Sequence, residues 1–351
     1  MNLEDIRTRI DRLDHELLKI LSERMEYALQ ARKFKSQVED STREEQVLKN
    51  LKKYTIGIMD ADFYEKLFRE IIQESKRLQN KEYRLIGFQG KHGAHSEVAA
   101  REWNSELIPI PCREFADVFI QVSQSGLDFG IVPVENTLGG VVGDVNDLLI
   151  ETNLKIFAEI EIPIHHCLLI TGETDYREIR DVYSHPQALF QCRNFLERNH
   201  LEPVPYYDTA GAARMLSEER PKATAVIASH LCAELYDLEI IKENIEDHEI
   251  NRTRFLILAR EESPQEGNKC SIVFSTAHKA GTLFRVLERF AQENINLTRI
   301  ESIPDKPGSF AFFLDFQGNK NDEPIQRILK DVEVMTNNYK FLGCYLGRSS
   351  Q

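Results

Sequence analysis

The chain has 351 residues, of which 42% are hydrophobic and 29% are charged, and its formal net charge at pH 7 is −13. This length predicts two or three domains rather than one core. The acidic balance argues against nucleic acid or an anionic membrane as the main partner, because both repel negative charge. Any cations that bind an anionic metabolite must therefore be gathered locally.

The N-terminus carries charge from its fourth residue, which predicts that it is no signal peptide. No apolar run approaches the roughly 18 residues that a membrane span needs. Six cysteines lie far apart without a C-x-x-C pair, which indicates reduced thiols and a cytoplasmic location. The pair His165–His166 is expected to be structural, since adjacent strand residues point to opposite faces. The sequence predicts no metal site.

Residues 1–80 show the periodicity of amphipathic helices. Apolar positions separated by three and four residues predict one very long helix over 3–38. A second helix is expected over 43–54, and a third begins after the N-cap Asp60 and ends at Gln79. Three helices make a thin core, so we expect the long helix to bury its apolar stripe in a dimer.

From about residue 83 short strands alternate with helices, which predicts an α/β segment with a mostly parallel sheet and two lobes around a cleft. After the loop at 260–269 the order of elements is βαββαβ, which predicts a ferredoxin-like plait. The expected fold is therefore multidomain: an all-α domain at 1–80, a two-lobed α/β domain at 83–262 and an α+β domain at 269–349.

Cations occupy positions on the first helix that should be apolar. Arg24 lies on the apolar stripe, and Lys35, three turns further, is expected on nearly the same face. A cation on a buried stripe is unfavourable unless an anion meets it or its long side chain extends to water. The other polar residues expected at this pocket are Asp40, Arg43, Ser75 and Gln79. They make a pocket rich in cations and amide donors, with no obvious nucleophile or general base.

Arg7 lies roughly 25 Å along the helix axis from Arg24 and about 100° round it. It cannot reach the pocket of its own chain, but an antiparallel partner helix could deliver it. Together these polar positions resemble those of the all-helical (AroQ-type) chorismate mutases, over the first 80 or so residues. A structural four-helix dimerisation module is the alternative interpretation.

The resemblance implies a pericyclic rearrangement of chorismate, which needs a folded substrate and stabilisation of charge on the ether oxygen. It implies that the partner's Arg7, with Arg24 and Arg43, binds carboxylates. Lys35 and Gln79 would donate to the ether oxygen, Asp40 would bind the ring hydroxyl, and Ser75 would support them.

Four polar, turn-rich stretches in the second segment follow apolar runs and lead toward helices, at 87–97, 133–140, 184–189 and 208–213. Such turns present backbone N–H groups to anions. A fifth stretch, "NRTRF" at 251–255, places a hydroxyl between two arginines at the start of a strand. In this order the stretches resemble the motifs of prephenate dehydratases over about 83–262. The matching residues are Gly90, Gly93, Ala94, Ser96, Glu97, Glu135, Asn136, Ser184, His185, Pro186, Gln187, Thr209, Ala210, Thr253, Arg254 and Phe255.

This resemblance implies a periplasmic-binding-protein-like domain that converts prephenate into phenylpyruvate by loss of a ring hydroxyl and carbon dioxide. A hydroxyl leaves poorly unless it is protonated. The resemblance makes Thr253 the proton donor and Arg254 the ligand of a carboxylate. The other residues expected to bind substrate are Ser96, Glu135, Asn136, Ser184, His185, Gln187, Thr209 and Phe255. His185 is expected to position rather than titrate.

The third segment resembles the regulatory ACT domain that is fused to such dehydratases. In these domains Ala280, Gly281, Thr282 and Leu283, at the entrance to the first helix, and Glu301 and Ser302, on a strand, frame an amino-acid site between paired domains. The resemblance implies feedback by phenylalanine through a coupling free energy between sites. Ile303 stands where the family usually has arginine, which puts that response in doubt. A module that only dimerises is the alternative.

Taken together, the segments resemble the bifunctional chorismate mutase–prephenate dehydratases (P-proteins) with a C-terminal ACT domain. The resemblance implies a homodimer or a higher homo-oligomer that needs no cofactor. One alternative keeps the enzyme but exchanges prephenate for arogenate, or chorismate for an aminodeoxychorismate, which differ by an amine or a hydroxyl. Another is a non-catalytic amino-acid sensor.

Overall fold

The computed structural model describes residues 2–54, 58–277, 279–306 and 309–347. The chain divides into two compact units, Met1–Leu85 with Ser125–Leu127, and Ile86–Gln124 with Asp128–Gln351. Within the described ranges, no helix combines the length and the hydropathy that crossing a membrane demands.

The first unit contains the helices α1 (Leu3–Lys33), α2 (Ser41–Tyr54) and α3 (Ala61–Gln79). A capping box starts α1, because the Asn2 side chain accepts a hydrogen bond from the Asp5 N–H while the Asp5 carboxylate accepts one from the Asn2 N–H. Asp60 caps α3 as predicted, since its carboxylate accepts from the N–H of Phe63 at 2.8 Å.

The long helix ends earlier than the periodicity predicts, at Lys33. The N–H of Phe34 bonds back into the last turn, and the Arg32 guanidinium donates to the carbonyl oxygen of Lys35 at 2.7 Å. These bonds satisfy groups at the helix C-terminus that a longer helix would have used. Lys35 therefore lies outside the helix, and the prediction that it shares a helical face with Arg24 is wrong.

The apolar stripe of α1 is uncovered within one chain. Leu13 keeps 63% of its surface exposed and Ile20 keeps 62%. The other exposed members of the stripe are Leu3, Ile6, Ile10 and Leu17. An apolar face of this length is uncommon on a monomer. That a second copy covers it stays a prediction.

The second unit begins with a sheet of strand order β2-β1-β3-β11-β5, with the short β4 paired to β3. Its strands are β1 (Leu85–Gln89), β2 (Ile108–Cys112), β3 (Phe129–Asn136), β4 (Gly140–Val141), β5 (Lys155–Pro163) and β11 (Arg252–Ala259). The helices of this first lobe are α4 (His95–Trp103), α5 (Phe115–Ser123) and α6 (Gly143–Glu151). Phe88, Ile131 and Phe255 belong to its core.

The second lobe is built on a sheet of strand order β10-β6-β9-β7-β8. Its strands are β6 (Cys167–Ile170), β7 (Asp181–Ser184), β8 (Glu202–Pro205), β9 (Thr224–Ala228) and β10 (Glu239–Lys242). Its helices are α7 (Pro186–Gln191), α8 (Arg193–Arg198), α9 (Thr209–Glu219) and α10 (His230–Tyr236), with a 3₁₀ turn at Tyr176–Glu178.

Both sheets are mixed, so the prediction of a mostly parallel sheet is wrong. In the first lobe β11 runs antiparallel to β3 and to β5, although β1 and β3 are parallel. In the second lobe β6 runs antiparallel to β9 and to β10. The physical reason in the first lobe is topological: β11 enters the sheet from the second lobe, opposite to the direction in which β5 leaves it.

The chain crosses between the lobes twice, over 164–166 and 243–251, and the two crossings are hydrogen-bonded to each other. The Ile164 N–H donates to the carbonyl oxygen of Asn251 at 2.8 Å, and the Ile245 N–H donates to that of His166 at 3.1 Å. The carboxylate of Glu246 accepts from the His166 N–H at 2.9 Å. We call this pair of crossings the hinge, because two short connections between lobes are the usual site of hinge motion.

The C-terminal part has the predicted βαββαβ order, which is confirmed. Its elements are β12 (Lys269–Ser275), α11 (Thr282–Gln292), β13 (Leu297–Lys306), β14 (Ser309–Gln317), α12 (Glu323–Met335) and β15 (Asn337–Tyr345). The sheet has the order β13-β14-β12-β15. Phe274, Phe290 and Ile328 lie in the core between the sheet and the two helices.

A buried charge cluster joins this C-terminal sheet to β11. Arg254 Nη2 lies 2.7 Å from Glu159 Oε2 and 2.7 Å from Asp315 Oδ2. Lys269 Nζ lies 2.9 Å from Glu159 Oε2, and the Ser271 hydroxyl donates to Asp315 Oδ1 at 2.5 Å. We call Glu159, Arg254, Lys269 and Asp315 the seam cluster. Its two cations and two anions balance, which is what allows such groups to be buried.

The carboxyl group of Asp315 stays ionised inside this seam. Burial, the largest effect, raises its pKa, but the charges of Arg254, Lys269 and Arg299 and the hydrogen bond from Ser271 outweigh burial and hold the pKa below its ordinary value. A depressed folded-state pKa contributes stability that is fully present above the unfolded pKa of about 4. That contribution is lost as the pH falls further, through the lower folded-state value.

We expect Asp315→Asn to lower the free energy of unfolding by about 3 to 5 kcal/mol, because it leaves Arg254 buried with one carboxylate fewer. It should also reduce the loss of stability below about pH 4. Denaturant unfolding at pH 7 and at pH 3.5 measures both effects. Asp331→Asn is the matched control, because its ion pair with Arg289 is partly open to solvent and should matter little. Equal losses in the two variants would contradict the assignment.

Candidate functional site

The helical unit places Arg24 against α3. Its Nη1 donates to the Ser75 hydroxyl at 2.7 Å, and that hydroxyl in turn donates to the carbonyl oxygen of Ile71 at 2.9 Å. Burial lowers the pKa of Arg24 from its ordinary value. Gln79 lies one turn after Ser75 and is also buried. Among the described residues, its Oε1 atom has no hydrogen-bond partner.

The other predicted members of this pocket are not brought to Arg24 by contacts within the chain. Arg7 is exposed and lies 3.7 Å from Glu4, on its own helix. Asp40 accepts from the backbone N–H of Arg43 at 3.0 Å, where α2 begins, and both side chains are exposed. Lys35 is half-buried just past the end of α1. Their predicted roles toward a substrate stay predictions.

In the first lobe the side chain of Asn136 ties the ends of β3 and β11 together. Its Nδ2 donates to Thr253 Oγ1 at 2.9 Å, to Asn251 Oδ1 at 2.9 Å and to the carbonyl oxygen of Arg252 at 3.0 Å. Its Oδ1 accepts from the N–H of Gly139 at 2.6 Å and from that of the preceding residue. Because the oxygen faces backbone donors, the amide has one orientation, with the nitrogen toward Thr253.

The hydrogen bond from Asn136 does not use the proton of Thr253. A hydroxyl group has one donor and two acceptor positions, and here the amide of Asn136 occupies an acceptor position. A donor at the oxygen also favours the deprotonated form and so makes the hydroxyl a better acid. Thr253 is 8% exposed, which keeps most water away from the bond.

Asn251 belongs to the same group of residues, although the sequence motifs did not single it out. It is 1% exposed, and it precedes Thr253 by two residues. Residues two apart on an extended chain point to the same face. That spacing in "NRTRF" is the sequence signal that could have identified it.

The turn before α4 is held by the buried carboxylate of Glu97. Glu97 Oε2 accepts from the Gly93 N–H at 2.8 Å and lies 3.1 Å from His92 Nδ1, while Arg101 donates to Oε1 at 2.6 Å. Burial, the largest effect, raises the pKa of Glu97, but these partners hold it below its ordinary value. The carbonyl oxygen of Gly93 accepts from the Ser229 hydroxyl at 2.5 Å, so this turn also contacts the second lobe.

The second lobe brings α7 to the loop that follows Asn136. His185 caps α7, because its Nδ1 accepts from the Gln187 N–H at 3.2 Å. The amide of Gln187 lies directly against Gly139, so closely that a Cβ at Gly139 would overlap its Nε2. Gln187 therefore joins the group around Asn136 from the opposite lobe. Thr209 begins α9 after its N-cap, Asp208.

Three residues predicted to bind substrate have partners within the chain, and their roles toward a substrate stay predictions. Arg254 is part of the seam cluster, because a residue adjacent to Thr253 points to the opposite face of β11. Phe255 lies deeper in the strand and is buried in the core of the first lobe. Ser184 is fully buried, and its hydroxyl donates to the carbonyl oxygen of Ile227 at 2.6 Å. Ser96 and Glu135 were also predicted to bind substrate. Ser96 is buried and Glu135 is exposed. The contacts of these two side chains assign neither of them a role.

The two adjacent histidines at the hinge have protein partners. His165 Nδ1 lies 2.7 Å from Glu246 Oε1, and His166 Nε2 lies 2.9 Å from Gln191 Oε1. Over the part of the chain that the structure describes, no group of three or more His, Cys, Asp or Glu side chains is placed to hold a metal ion.

A cavity of about 380 Å³ opens at the start of α11 in the C-terminal part. Its lining includes Ala280, Gly281, Thr282 and Leu283, which were predicted to bind an effector, together with Phe310 and Phe312. The Thr282 hydroxyl donates to the carbonyl oxygen of Ala277 at 3.0 Å and so holds the turn. The other two predicted effector residues, Glu301 and Ser302, lie on the edge strand β13. Within one chain, the described lining of the cavity does not include them.

Comparison with known proteins gives three family matches in chain order. The model described as "Chorismate mutase type II" matches residues 6–80, that of "Prephenate dehydratase" matches 86–263, and that of "ACT domain" matches 271–334. A protein of Aquifex aeolicus named "Bifunctional chorismate mutase/prephenate dehydratase" is 35% identical over 358 residues, which cover 98% of this chain and 97% of that protein.

Two solved structures resemble about three quarters of the chain. A structure described as "GqqA- a novel type of quorum quenching acylases" has 33% identity and a TM-score of 0.70, and the match covers 75% of this chain and 97% of that one. Prephenate dehydratase from Arthrobacter aurescens, solved in complex with L-Phe, has 27% identity and a TM-score of 0.71. That match covers 76% of this chain and 91% of that one.

A helical mutase segment, a two-lobed dehydratase segment and an ACT segment thus follow one another along the chain, which defines a multidomain biosynthetic enzyme. The chain belongs to the bifunctional chorismate mutase/prephenate dehydratase family.

We expect Gly93→Ala to reduce kcat/KM of the dehydratase by about 100-fold, the order of effect that a misplacement of about 1 Å produces. A Cβ at Gly93 would overlap Cys232 Sγ of the second lobe, and its φ of +93° already disfavours a side chain. A coupled assay for phenylpyruvate measures the loss.

Gly140→Ala is the matched control for this prediction. Gly140 also has a positive φ, +74°, but a Cβ there would meet nothing within 4 Å. If both variants lose activity equally, backbone strain rather than contact between the lobes is responsible.

Proposed function

We propose that the protein rearranges chorismate to prephenate and then converts prephenate into phenylpyruvate, water and carbon dioxide. Family membership along the whole chain supports both steps. The single observation that carries the second step is the hydrogen bond from Asn136 Nδ2 to Thr253 Oγ1 at 2.9 Å, which leaves the threonine proton available.

The first step belongs to the helical unit, in an AroQ-type fold. Arg24, positioned by Ser75, binds one carboxylate of chorismate, and Gln79 donates to the ether oxygen as the bond breaks. Lys35, Asp40 and Arg43, with the partner's Arg7, complete the pocket when two copies pair. The exposed apolar stripe of α1 supports that pairing, because an uncovered apolar face favours association.

The second step takes place in the cleft of the two-lobed, periplasmic-binding-protein-like domain. The bond between the ring and its carboxylate breaks, and its electron pair enters the ring as carbon dioxide departs. The ring hydroxyl leaves as water with the proton of Thr253, which solvent later restores. Asn136 holds the developing alkoxide through its amide, and Gln187, from the second lobe, helps to enclose the substrate.

Two parts of the first lobe bind the prephenate dianion: the turn around Ser96, and Glu135 and Asn136 with the loop after them. In the second lobe, His185 and Thr209 bind it where α7 and α9 begin. Backbone N–H groups at helix N-termini attract carboxylates. We assign no carboxylate to Arg254, because Glu159 and Asp315 already neutralise it.

The domain boundaries of this proposal are 1–80 for the mutase, 83–262 for the dehydratase and 269–349 for a ferredoxin-like ACT domain. We place the protein in the cytoplasm as a homodimer or larger homo-oligomer. All six cysteines are free thiols, which fits a reducing compartment.

Thr253→Ala should lower kcat of the dehydratase by about 10²- to 10⁴-fold, the usual contribution of a general acid. Purified protein supplied with chorismate should then accumulate prephenate, because the mutase does not use this residue. Absorbance at the wavelengths of chorismate and phenylpyruvate follows both steps in one cuvette.

Thr253→Ser keeps the hydroxyl and should recover most of the rate. Thr137→Ala is the matched control for local disturbance, because the Thr137 hydroxyl is bonded to the backbone of Ile250 and Arg252, just before Thr253. Phenylpyruvate formation by Thr253→Ala at nearly the wild-type rate would disprove the assigned proton donor, and no turnover of chorismate by the wild type would disprove the mutase.

We further propose that phenylalanine binds at the cavity beside α11 and inhibits the dehydratase. The aromatic lining from Phe310 and Phe312 supports an aromatic ligand, and Glu301 and Ser302 of a paired domain would supply polar contacts. The related enzyme of Arthrobacter aurescens was solved with L-Phe. The coupling requires that the ligand prefer one of two conformations of the protein.

Isothermal titration with L-phenylalanine should give saturable heat, and the same concentrations should inhibit phenylpyruvate formation. D-phenylalanine is the matched control, because its ammonium and carboxylate groups cannot both take the same positions. If about 1 mM L-phenylalanine gives neither heat nor inhibition, the ACT domain does not sense it, as the isoleucine at 303 would explain.

A further inference from the structure

Asn251 occupies a position that no motif assigns, between the hinge and the hydroxyl of Thr253. Its backbone belongs to the hinge, since its carbonyl oxygen accepts from the Ile164 N–H at 2.8 Å. Its side chain faces the other way, with Oδ1 accepting from Asn136 Nδ2 at 2.9 Å. One residue therefore contacts both the connection between the lobes and the amide that is bonded to Thr253.

The amide of Asn136 has more acceptors than protons. An NH₂ group has two hydrogens, whereas Nδ2 of Asn136 has three acceptors within 3.0 Å, on Asn251, Arg252 and Thr253. The position of the Asn251 oxygen therefore decides how the two protons are shared. A small displacement of Asn251 changes the strength and direction of the bond to the Thr253 oxygen.

Asn251 also carries a buried donor that the protein does not use. Among the residues that the structure describes, its Nδ2 has no hydrogen-bond partner, although the residue is 1% exposed. Buried side-chain amides usually have partners, and an exception calls for a reason. If the Asn251 side chain served packing alone, an apolar residue could replace it, because its nitrogen makes no hydrogen bond that would be lost.

We propose that Asn251 is a positioning residue for the proton donor: through Asn136 it fixes the hydroxyl of Thr253, and through its backbone it ties that geometry to the hinge. This inference rests on the proposed dehydratase function. Closure of the lobes around substrate moves the hinge, and Asn251 transmits that movement to the amide of Asn136. The hydroxyl is then aligned only when the cleft is closed.

The test compares kcat and KM for prephenate in Asn251→Ala, Asn136→Ala and the double variant, with mutase activity and thermal unfolding as measures of folding. Asn251→Ala should lower kcat by about 10- to 100-fold with KM changed by less than about threefold, because alignment rather than binding is lost. In the Asn136→Ala background the second substitution should have little further effect, since the intermediary is already absent.

Asn146→Ala is the matched control, because Asn146 is an equally buried asparagine of the first lobe, 1% exposed, whose Oδ1 accepts from Arg299 at 3.2 Å instead. It should affect unfolding without changing kcat. Asn251→Asp provides a second test. It keeps an acceptor for Asn136 and should recover part of kcat, while its negative charge beside a dianion should raise KM.

Multiplicative losses in the double variant would overturn the proposal, as would equal losses of kcat in Asn251→Ala and Asn146→Ala. So would equal losses of kcat in Asn251→Ala and Asn251→Asp. These outcomes leave the proposed function intact as long as Thr253→Ala is inactive and Thr253→Ser is active. If Thr253→Ala keeps its rate, the dehydratase assignment itself fails, and the two failures are thereby distinguished.

Discussion

The alternation of side chains along the extended stretch 251–255 is the constraint on which the dehydratase half of the structure depends. Asn251 and Thr253 point to the side where Asn136 lies, whereas Arg252 and Arg254 point to the side of Glu161 and Glu159. The hydroxyl of Thr253, which we propose as the proton donor, thus lies on the opposite face of the strand from the two guanidinium groups. The two arginines stabilise the strand from its other face, where their charges meet carboxylates.

This alternation also explains which parts of the site could be predicted. Motif order alone led to Asn136 and Thr253, and the structure brings them within 2.9 Å. Arg254 was assigned to substrate through the resemblance to the dehydratase motifs, but neighbours on a strand face apart. Its partner Asp315 lies in a different domain, and no local pattern reveals a contact over such a separation. Asn251 was missed because its signal is a spacing of two residues rather than a motif.

Local rules predicted the elements better than their ends or their pairing. The cap at Asp60 and the βαββαβ order follow from short-range chemistry and periodicity, and both are confirmed. The end of α1 could not be predicted from periodicity, because the Arg32 guanidinium donates to the carbonyl oxygen of Lys35 and the helix ends there. The direction of β11 depends on the path of the chain through the second lobe, which no window of sequence contains.

The seam cluster shows why the dehydratase lobe and the C-terminal sheet hold together as one structure. Removing four charges from water is unfavourable unless each meets its counterion. Here that condition requires Glu159 and Arg254 from one sheet and Lys269 and Asp315 from the other. Separating the sheets would leave Arg254 with Glu159 alone and Asp315 without its partner across the seam. The strand that carries Thr253 is therefore held by the C-terminal domain as well as by its own sheet, and its geometry depends on both.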